Sequence, residues 1–273
     1  MSENGECHEP PRSTVYGPVP SWRYGQSLGI DPILETSTCS FNCIYCQLGN
    51  INRHIADQDV FVATEQILHD LKPVEWDQVD IVAVSGSGEP TLALNIGEII
   101  DHIKDRYHKP VLVLTNSVHL RDASTRNRVR RADVVECKLD APNDEILRVI
   151  NRPVEGVTVE SIVRGIEALR DEEFTGKLTL QCMLMPVNIK SVPELAQLIK
   201  RIGPDEIHLN TPKRPYPRQW YLESRGDHLG KVDVPKTPLK TISEEEAEEA
   251  ERIIKERNPG IKIHSVYRHH SEQ

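Results

Sequence analysis

Short apolar segments alternate with amphipathic ones along most of this chain, and that alternation constrains its fold more than any other feature. Residues 29–36, 78–85, 111–114, 133–139, 178–185 and 206–209 read as six strands, and 63–71, 96–107, 124–131, 144–150, 159–170 and 192–202 carry helical spacing. Ile162, Ile166 and Leu169 make one apolar helix face, and Leu195, Leu198 and Ile199 make another. Strands separated by helices pair in parallel through right-handed crossovers, which gives an α/β fold built as an open sheet or a barrel.

Position then indicates where chemistry gathers, because in parallel β/α architectures the loops after the strands open into one crevice at their carboxyl ends. Those ends carry the distinctive residues. Cys39-Ser40-Phe41-Asn42-Cys43-Ile44-Tyr45-Cys46 follows the first strand, Gly86-Ser87-Gly88-Glu89-Pro90-Thr91 the second, Thr115-Asn116 the third and Asn210-Thr211 the sixth. On the fourth strand Glu136, Lys138 and Asp140 alternate with Val135, Cys137 and Leu139, so one face is charged and the other apolar. Gln181, Met183 and Met185 share a face of the fifth strand, suited to contacting a ligand or filling the interior, opposite Cys182, which like Cys137 reads as core.

Three of the six cysteines fall within eight residues. At spacings of four and three their thiolates can turn toward one point and hold a metal, whereas a disulfide would strand the third. Soft sulfur ligands favour zinc or an iron–sulfur cluster. A closed site takes a fourth ligand, and no cysteine or histidine close in sequence supplies an obvious one, so a coordination position is left open. Gly86 and Gly88 leave room for backbone to approach a ligand and Glu89 places a carboxylate there, a combination suited to a ligand with both an ammonium and a carboxylate.

A net charge of -9 and a pI of about 5.7 argue against non-specific binding to nucleic acid or anionic membrane as the main activity. Apolar runs such as 81–84 and 111–114 are too short to cross a bilayer, no secretory signal is visible, and the cysteine usage suits a reducing cytoplasm. Residues 1–14, with Cys7 and His8, are expected to form a flexible tail, and 15–211 the core. Within the core, 15–31 reads as a turn-rich lead-in pegged by Tyr16, Trp22 and Tyr24. Residues 212–273 are expected to give an irregular lid or edge segment, an acidic helix at 244–257 with a Ser243/Glu246 capping box, a strand at 261–267 and a basic Arg268-His269-His270 tail.

The Cys-x3-Cys-x2-Cys loop with an aromatic before its last cysteine, followed by a strand ending in Ser87-Gly88-Glu89-Pro90, resembles the radical S-adenosylmethionine superfamily over about residues 29–211. The resemblance implies a partial (β/α)6 barrel and a [4Fe-4S] cluster on Cys39, Cys43 and Cys46, whose open iron binds S-adenosylmethionine. It further implies reductive cleavage to a 5'-deoxyadenosyl radical that abstracts hydrogen from a substrate. It places Tyr45 at the adenine and Ser87, Gly88, Glu89 and Pro90 at the methionine amino group, with serine where the family's loop begins with glycine. Thr115, Asn116 and Asp140 become candidates for methionyl or ribose contacts, and Lys138 for the cofactor face.

Tyr16-Gly17-Pro18-Val19-Pro20-Ser21, Cys46-Gln47-Leu48-Gly49 and Asn210-Thr211-Pro212-Lys213-Arg214-Pro215 look like a compact microbial group related to the enzymes that build the wyosine base of tRNA. Those enzymes carry further upstream cysteines, whereas here only Cys7 precedes Cys39. A tRNA substrate is supported locally by the basic-aromatic run 213–221 and by Arg126, Arg128, Arg130 and Arg131. Gln181, Asn210, Lys213 and Arg214 are the substrate candidates. The expected partner is a flavodoxin- or ferredoxin-like one-electron reductant, with a monomer and no membrane. The competing reading is a non-enzymatic iron–sulfur or zinc protein that senses redox state or assists assembly.

Overall fold

A computed structural model describes residues 12–172, 174–225 and 234–267. The expectations for 1–11, including Cys7 and His8, and for Arg268-His269-His270 lie outside the described residues. An antiparallel hairpin of β1 (Val15–Ser21) and β2 (Gly25–Ile30) opens the fold, and the cysteine loop lies between the two-residue strands β3 (Thr38–Cys39) and β4 (Arg53–His54). There follow α1 (Thr64–Asp70), β5 (Ile81–Val84), α2 (Ile96–Tyr107), β6 (Val111–Thr115), α3 (Ala123–Val129), β7 (Val134–Lys138), α4 (Asp144–Ile150) and α5 (Val159–Asp171). Then come β8 (Lys177–Met183), α6 (Val192–Ile202), β9 (Glu206–Asn210), β10 (Tyr216–Pro217), β11 (Lys236–Thr237), α7 (Glu244–Arg257) and β12 (Lys262–Ser265).

The main sheet has eight strands in the order β1-β2-β5-β6-β7-β8-β9-β12, all parallel except the β1–β2 pair. It is curled into a half-barrel. The curl is visible in side-chain contacts: the Tyr24 ring meets the His208 ring edge-on at 5.6 Å, although β2 and β9 are five strand steps apart. At about 4.8 Å per step a flat sheet would hold those strands more than about 20 Å apart.

The outward face of the sheet packs against the helices in one large core that includes Val82, Val84, Val113, Val135, Cys137, Leu180 and Cys182. Ile162, Val163, Ile166 and Leu169 of α5 are buried there, each worth at most about 1.5–3 kcal/mol of burial. Thr158 and Ser161 form a reciprocal cap on α5, and Ser243 with Glu246 does the same on α7, as the spacing anticipates. A smaller apolar cluster of Ile81, Ala83 and Leu112 contacts Tyr24 from the hairpin tip.

Three parts of the chain differ from their sequence reading. The lead-in 15–31 is a hairpin, not a run of turns: β1 is an edge strand, where Pro18 and Pro20 are tolerated because no further strand needs their missing N–H groups. Strand one stops at Ile30 instead of running to 36, because the Asp31 carboxylate accepts the backbone N–H groups of Ile33 and Leu34, both at 3.0 Å, and Leu34 turns into positive φ (56°). Residues 12–14 are tied down: Thr14 is buried and bonds Asp70 through its N–H and hydroxyl, both at 2.8 Å. At the far end β12 pairs in parallel with β9 and so joins the main sheet.

Asp31 is wholly buried, and Arg225, from the segment after β10, donates to it at 3.0 Å while lying over the Tyr16 ring. Arg225→Met should cost about 3–5 kcal/mol in urea unfolding, since it leaves the Asp31 carboxylate buried with no cation.

Candidate active site

The loop 31–46 leaves β2 at its carboxyl end and is fastened to the loop after β5 by backbone hydrogen bonds and by one buried side-chain bond. Thr38 N–H donates to the Ser87 carbonyl at 2.9 Å, and Glu89 N–H donates to the Thr38 carbonyl at 3.0 Å. Gly88 is required at that contact, because a Cβ there would stand 1.7 Å from the Thr38 oxygen. Gly86, at φ +115°, packs against the Asp31 side chain. At both glycines the space a Cβ would take is filled by neighbouring protein. The Ser87 hydroxyl, fully buried, donates to Asp31 at 2.6 Å.

Glu89 is likewise engaged within the protein. One carboxylate oxygen accepts Thr91 N–H (3.1 Å), the Thr91 hydroxyl (2.6 Å) and the Thr115 hydroxyl (2.7 Å), and the other accepts Asn116 N–H (2.7 Å). Burial raises its pKa even against these four donors. Glu89 thus pins the end of β6, and Pro90 begins the short turn Pro90–Leu92 that it caps. Asn116, so placed, directs its side-chain amide to the Ser40 hydroxyl at 2.9 Å and the Cys39 sulfur at 3.6 Å.

Asp140 plays the matching part on the other side. It accepts Tyr45 O–H, Asn151 Nδ2 at 2.7 Å and Met183 N–H at 2.8 Å, so the cysteine loop, α4 and β8 share one buried carboxylate. Tyr45 contributes a ring face to Lys138, whose Nζ lies 5.1 Å from the ring centroid, 3.0 Å from Gln181 Oε1 and 3.9 Å from Asp140 Oδ2. Asn151 also reaches the Cys43 sulfur at 3.4 Å. Sequence reading missed Asn151, the C-cap of α4, since nothing in its local pattern distinguishes it from an ordinary helix-terminal asparagine.

Cys39, Cys43 and Cys46 are unpaired with one another and buried or half-buried. Two of the sulfurs accept N–H donors: Phe41 N at 3.3 Å and Asn116 for Cys39, and Asn151 for Cys43. Burial pushes all three thiols up, Cys43 to about 12, so ligation of a metal would release protons. Cys137 and Cys182 are fully buried in the sheet-to-helix core. A soft three-thiol donor set with sulfur-directed N–H groups suits an iron–sulfur cluster.

The remaining candidates lie at the end of β9, where Asn210 pairs with Met183, and in the segment that follows it. The Asn210 side chain accepts its own neighbour Thr211 N–H at 2.8 Å, and Lys213 bonds the Val266 carbonyl at 3.3 Å over the Tyr267 ring. Arg214 is exposed. The 216–219 segment returns to the cysteine loop: Tyr216 O–H donates to Asn50 at 2.8 Å, and a Cβ at Gly49 would meet the Pro217 and Gln219 backbone at 2.7–2.8 Å. Arg126 and Arg128, the two arginines within α3, are engaged by the protein, whereas Arg130 and Arg131 after it are exposed. Arg126 pairs with Glu172 and caps the Leu120 and Arg121 carbonyls, Arg131 pairs with Asp101, and Arg128 bonds Gln58 and Thr125.

A half-barrel with a Cys-x3-Cys-x2-Cys loop at the carboxyl ends of its strands defines one class of protein. The chain belongs to the Radical SAM superfamily, whose model matches residues 33–199. It is 47% identical over 231 residues to a UPF0026 protein of Synechocystis, covering 84% of this chain and 87% of that one. Among solved structures, TYW1 with a lysine–pyruvate adduct bound aligns with a TM-score of 0.57 at 16% identity, over 86% of this chain and 75% of TYW1. Streptococcus suis SuiB bound to S-adenosylmethionine aligns at 0.58 and 14% identity, over 84% of this chain and 48% of SuiB. At such identities the two structures speak to the fold alone. Among the described residues no helix is long and apolar enough to cross a membrane.

Proposed function

We propose that the chain is a radical S-adenosylmethionine enzyme whose Cys39, Cys43 and Cys46 hold a [4Fe-4S] cluster. The observation that carries this reading is the gathering of three unpaired cysteines at the mouth of the half-barrel, with N–H donors on the sulfurs of Cys39 and Cys43. When bound, such a cluster supplies the electron that cleaves S-adenosylmethionine to methionine and a 5'-deoxyadenosyl radical.

The chain's own residues do the positioning. Asn116 and Asn151 orient amides toward sulfur, and Glu89 and Asp140 fix those asparagines from behind. Lys138 and Gln181, hydrogen-bonded on the inner face of β7 and β8, are the polar pair offered to the cofactor or substrate. The 216–219 segment, packed on Gly49, shields the cysteine loop from one side. The electron donor in this reading is a flavodoxin- or ferredoxin-like protein.

For the substrate we propose a tRNA base. The support is the fold shared with TYW1 and the exposed cations Lys213, Arg214 and Arg218 on the segment that returns to the cysteine loop. Anaerobically reconstituted protein with dithionite is expected to form 5'-deoxyadenosine and methionine, and to bind bulk tRNA with an affinity that falls as salt rises. Lys213→Gln/Arg214→Gln/Arg218→Gln should flatten that salt dependence by about two to three in log–log slope while leaving cleavage without tRNA intact. Colourless protein holding stoichiometric zinc would instead favour a structural metal site, and absence of tRNA binding at low salt would remove the RNA substrate.

A further inference from the structure

We infer that Glu206, His208 and His264 form a site for a divalent transition metal of the zinc class at the floor of the half-barrel, separate from the cysteine loop. The three side chains come from the two last strands of the sheet, where register sets His208 beside His264 and Glu206 beside Lys262. One donor atom from each lies within 4.8 Å of the other two. Glu206 Oε2 stands 3.8 Å from His208 Nε2 and 3.7 Å from His264 Nε2. Donors bound tetrahedrally to zinc at about 2.0–2.1 Å are about 3.3 Å apart, so the two distances to Glu206 Oε2 are within about half an ångström of that spacing, and side-chain rotation of the partly exposed His264 closes the rest.

Two features prepare these atoms for a metal. His208 Nδ1 lies 2.6 Å from Glu136 Oε2, and that carboxylate is held in turn by Arg23 and by Tyr24 O–H at 2.7 Å. A carboxylate on Nδ1 keeps the proton there and presents Nε2 as a lone pair, the arrangement that orients metal-binding histidines. The Glu206 carboxylate is divided: Lys177 and Lys262 hold Oε1 at 3.1 and 2.8 Å, and Oε2 is the oxygen turned to the imidazoles. Glu206 and His208 are buried while the His264 side chain is 31% exposed, which provides a route of entry. Two imidazoles and one carboxylate oxygen make a borderline donor set with a further position for water. The ion would tie the edge strand β12 to β9, beneath the Tyr24 and His208 rings that close the floor.

The two lysines oppose a dication, so the site makes a prediction of sign that an ordinary ion-pair network does not. The test uses the full chain carrying Cys39→Ser/Cys43→Ser/Cys46→Ser, which removes the three loop thiols and makes the result independent of the cluster. Calorimetric titration with zinc(II) is expected to show one equivalent per chain. His264→Ala should weaken binding by at least about ten-fold, Glu136→Gln by about ten-fold through the lost orientation of His208, and Lys262→Met should tighten it several-fold. The same triply substituted chain provides a second reading: cobalt(II) bound with d–d absorption and no thiolate charge transfer, lost in His264→Ala. Absence of stoichiometric zinc binding, binding indifferent to His264→Ala, or weaker binding in Lys262→Met would overturn the site and leave the three residues as a salt-bridge network.

Discussion

Cys43→Ala, reconstituted anaerobically beside the wild-type chain, is expected to lose S-adenosylmethionine cleavage to below detection and to retain little cluster iron. Cys43 is the most buried of the three cysteines, with its sulfur facing Asn151 and Tyr45, two residues on, tied to Asp140. Removing the sulfur leaves two thiols, too few for a site-differentiated cubane, yet Asn151 keeps Asp140 as a partner, so the surrounding scaffold survives. The melting temperature of the iron-free chain should therefore move by only a few degrees, which separates loss of a ligand from loss of the fold. Cys137→Ala is the matched control: its thiol lies in the core behind the sheet, and the variant should keep its iron and its cleavage. Full iron content in Cys43→Ala would refute the ligand assignment.

Much of this arrangement is legible from sequence because it is local. The strands from β5 to β9 announce themselves by apolar runs between helices, and the cysteine loop and the Ser87-Gly88-Glu89-Pro90 loop fall where parallel strands end. The apolar-charged alternation on β7 places Cys137 in the core and Lys138 on the inner face.

What escapes is what depends on contacts distant in sequence. Asp31 reads as a strand residue, but its carboxylate ends β2 and receives Ser87 from 56 residues away and Arg225 from 194. Glu136 suggests a site by its charge, yet the partners that neutralise it come from the hairpin tip and from β9. Glu89 and Asp140 look like groups waiting for a ligand because their donors, Thr115, Asn116, Asn151 and Met183, belong to later strands, loops and helix ends. In each case the side chain faces the interior as the pattern predicts, and the curl of the sheet decides what meets it.

Gly88→Ala tests whether the two loops act as one unit. The clash is with backbone, since an added Cβ would stand 1.7 Å from the Thr38 carbonyl oxygen and 2.6 Å from its carbon, and no side chain can rotate away to relieve it. Relief requires separating the strands, which breaks the Thr38–Ser87 and Thr38–Glu89 hydrogen bonds next to Cys39. Overpacking of about 1–3 kcal/mol, with two buried hydrogen bonds at about 0.5–1.5 kcal/mol each, sets the expected loss at about 3 kcal/mol or more in urea unfolding. Because Glu89 and Asn116 move with that backbone, cluster occupancy should fall as well, although no proposed ligand has changed. Gly97→Ala supplies the contrast: its Cβ would meet Arg128 at 3.4 Å, an ordinary contact, in the first turn of α2, where alanine gains part of its advantage of up to about 1 kcal/mol over glycine as a helix former. That variant should be as stable as the parent or more so and keep its iron. If Gly88→Ala matched it in both readouts, the cysteine loop would not depend on the strand-end glycine for its position.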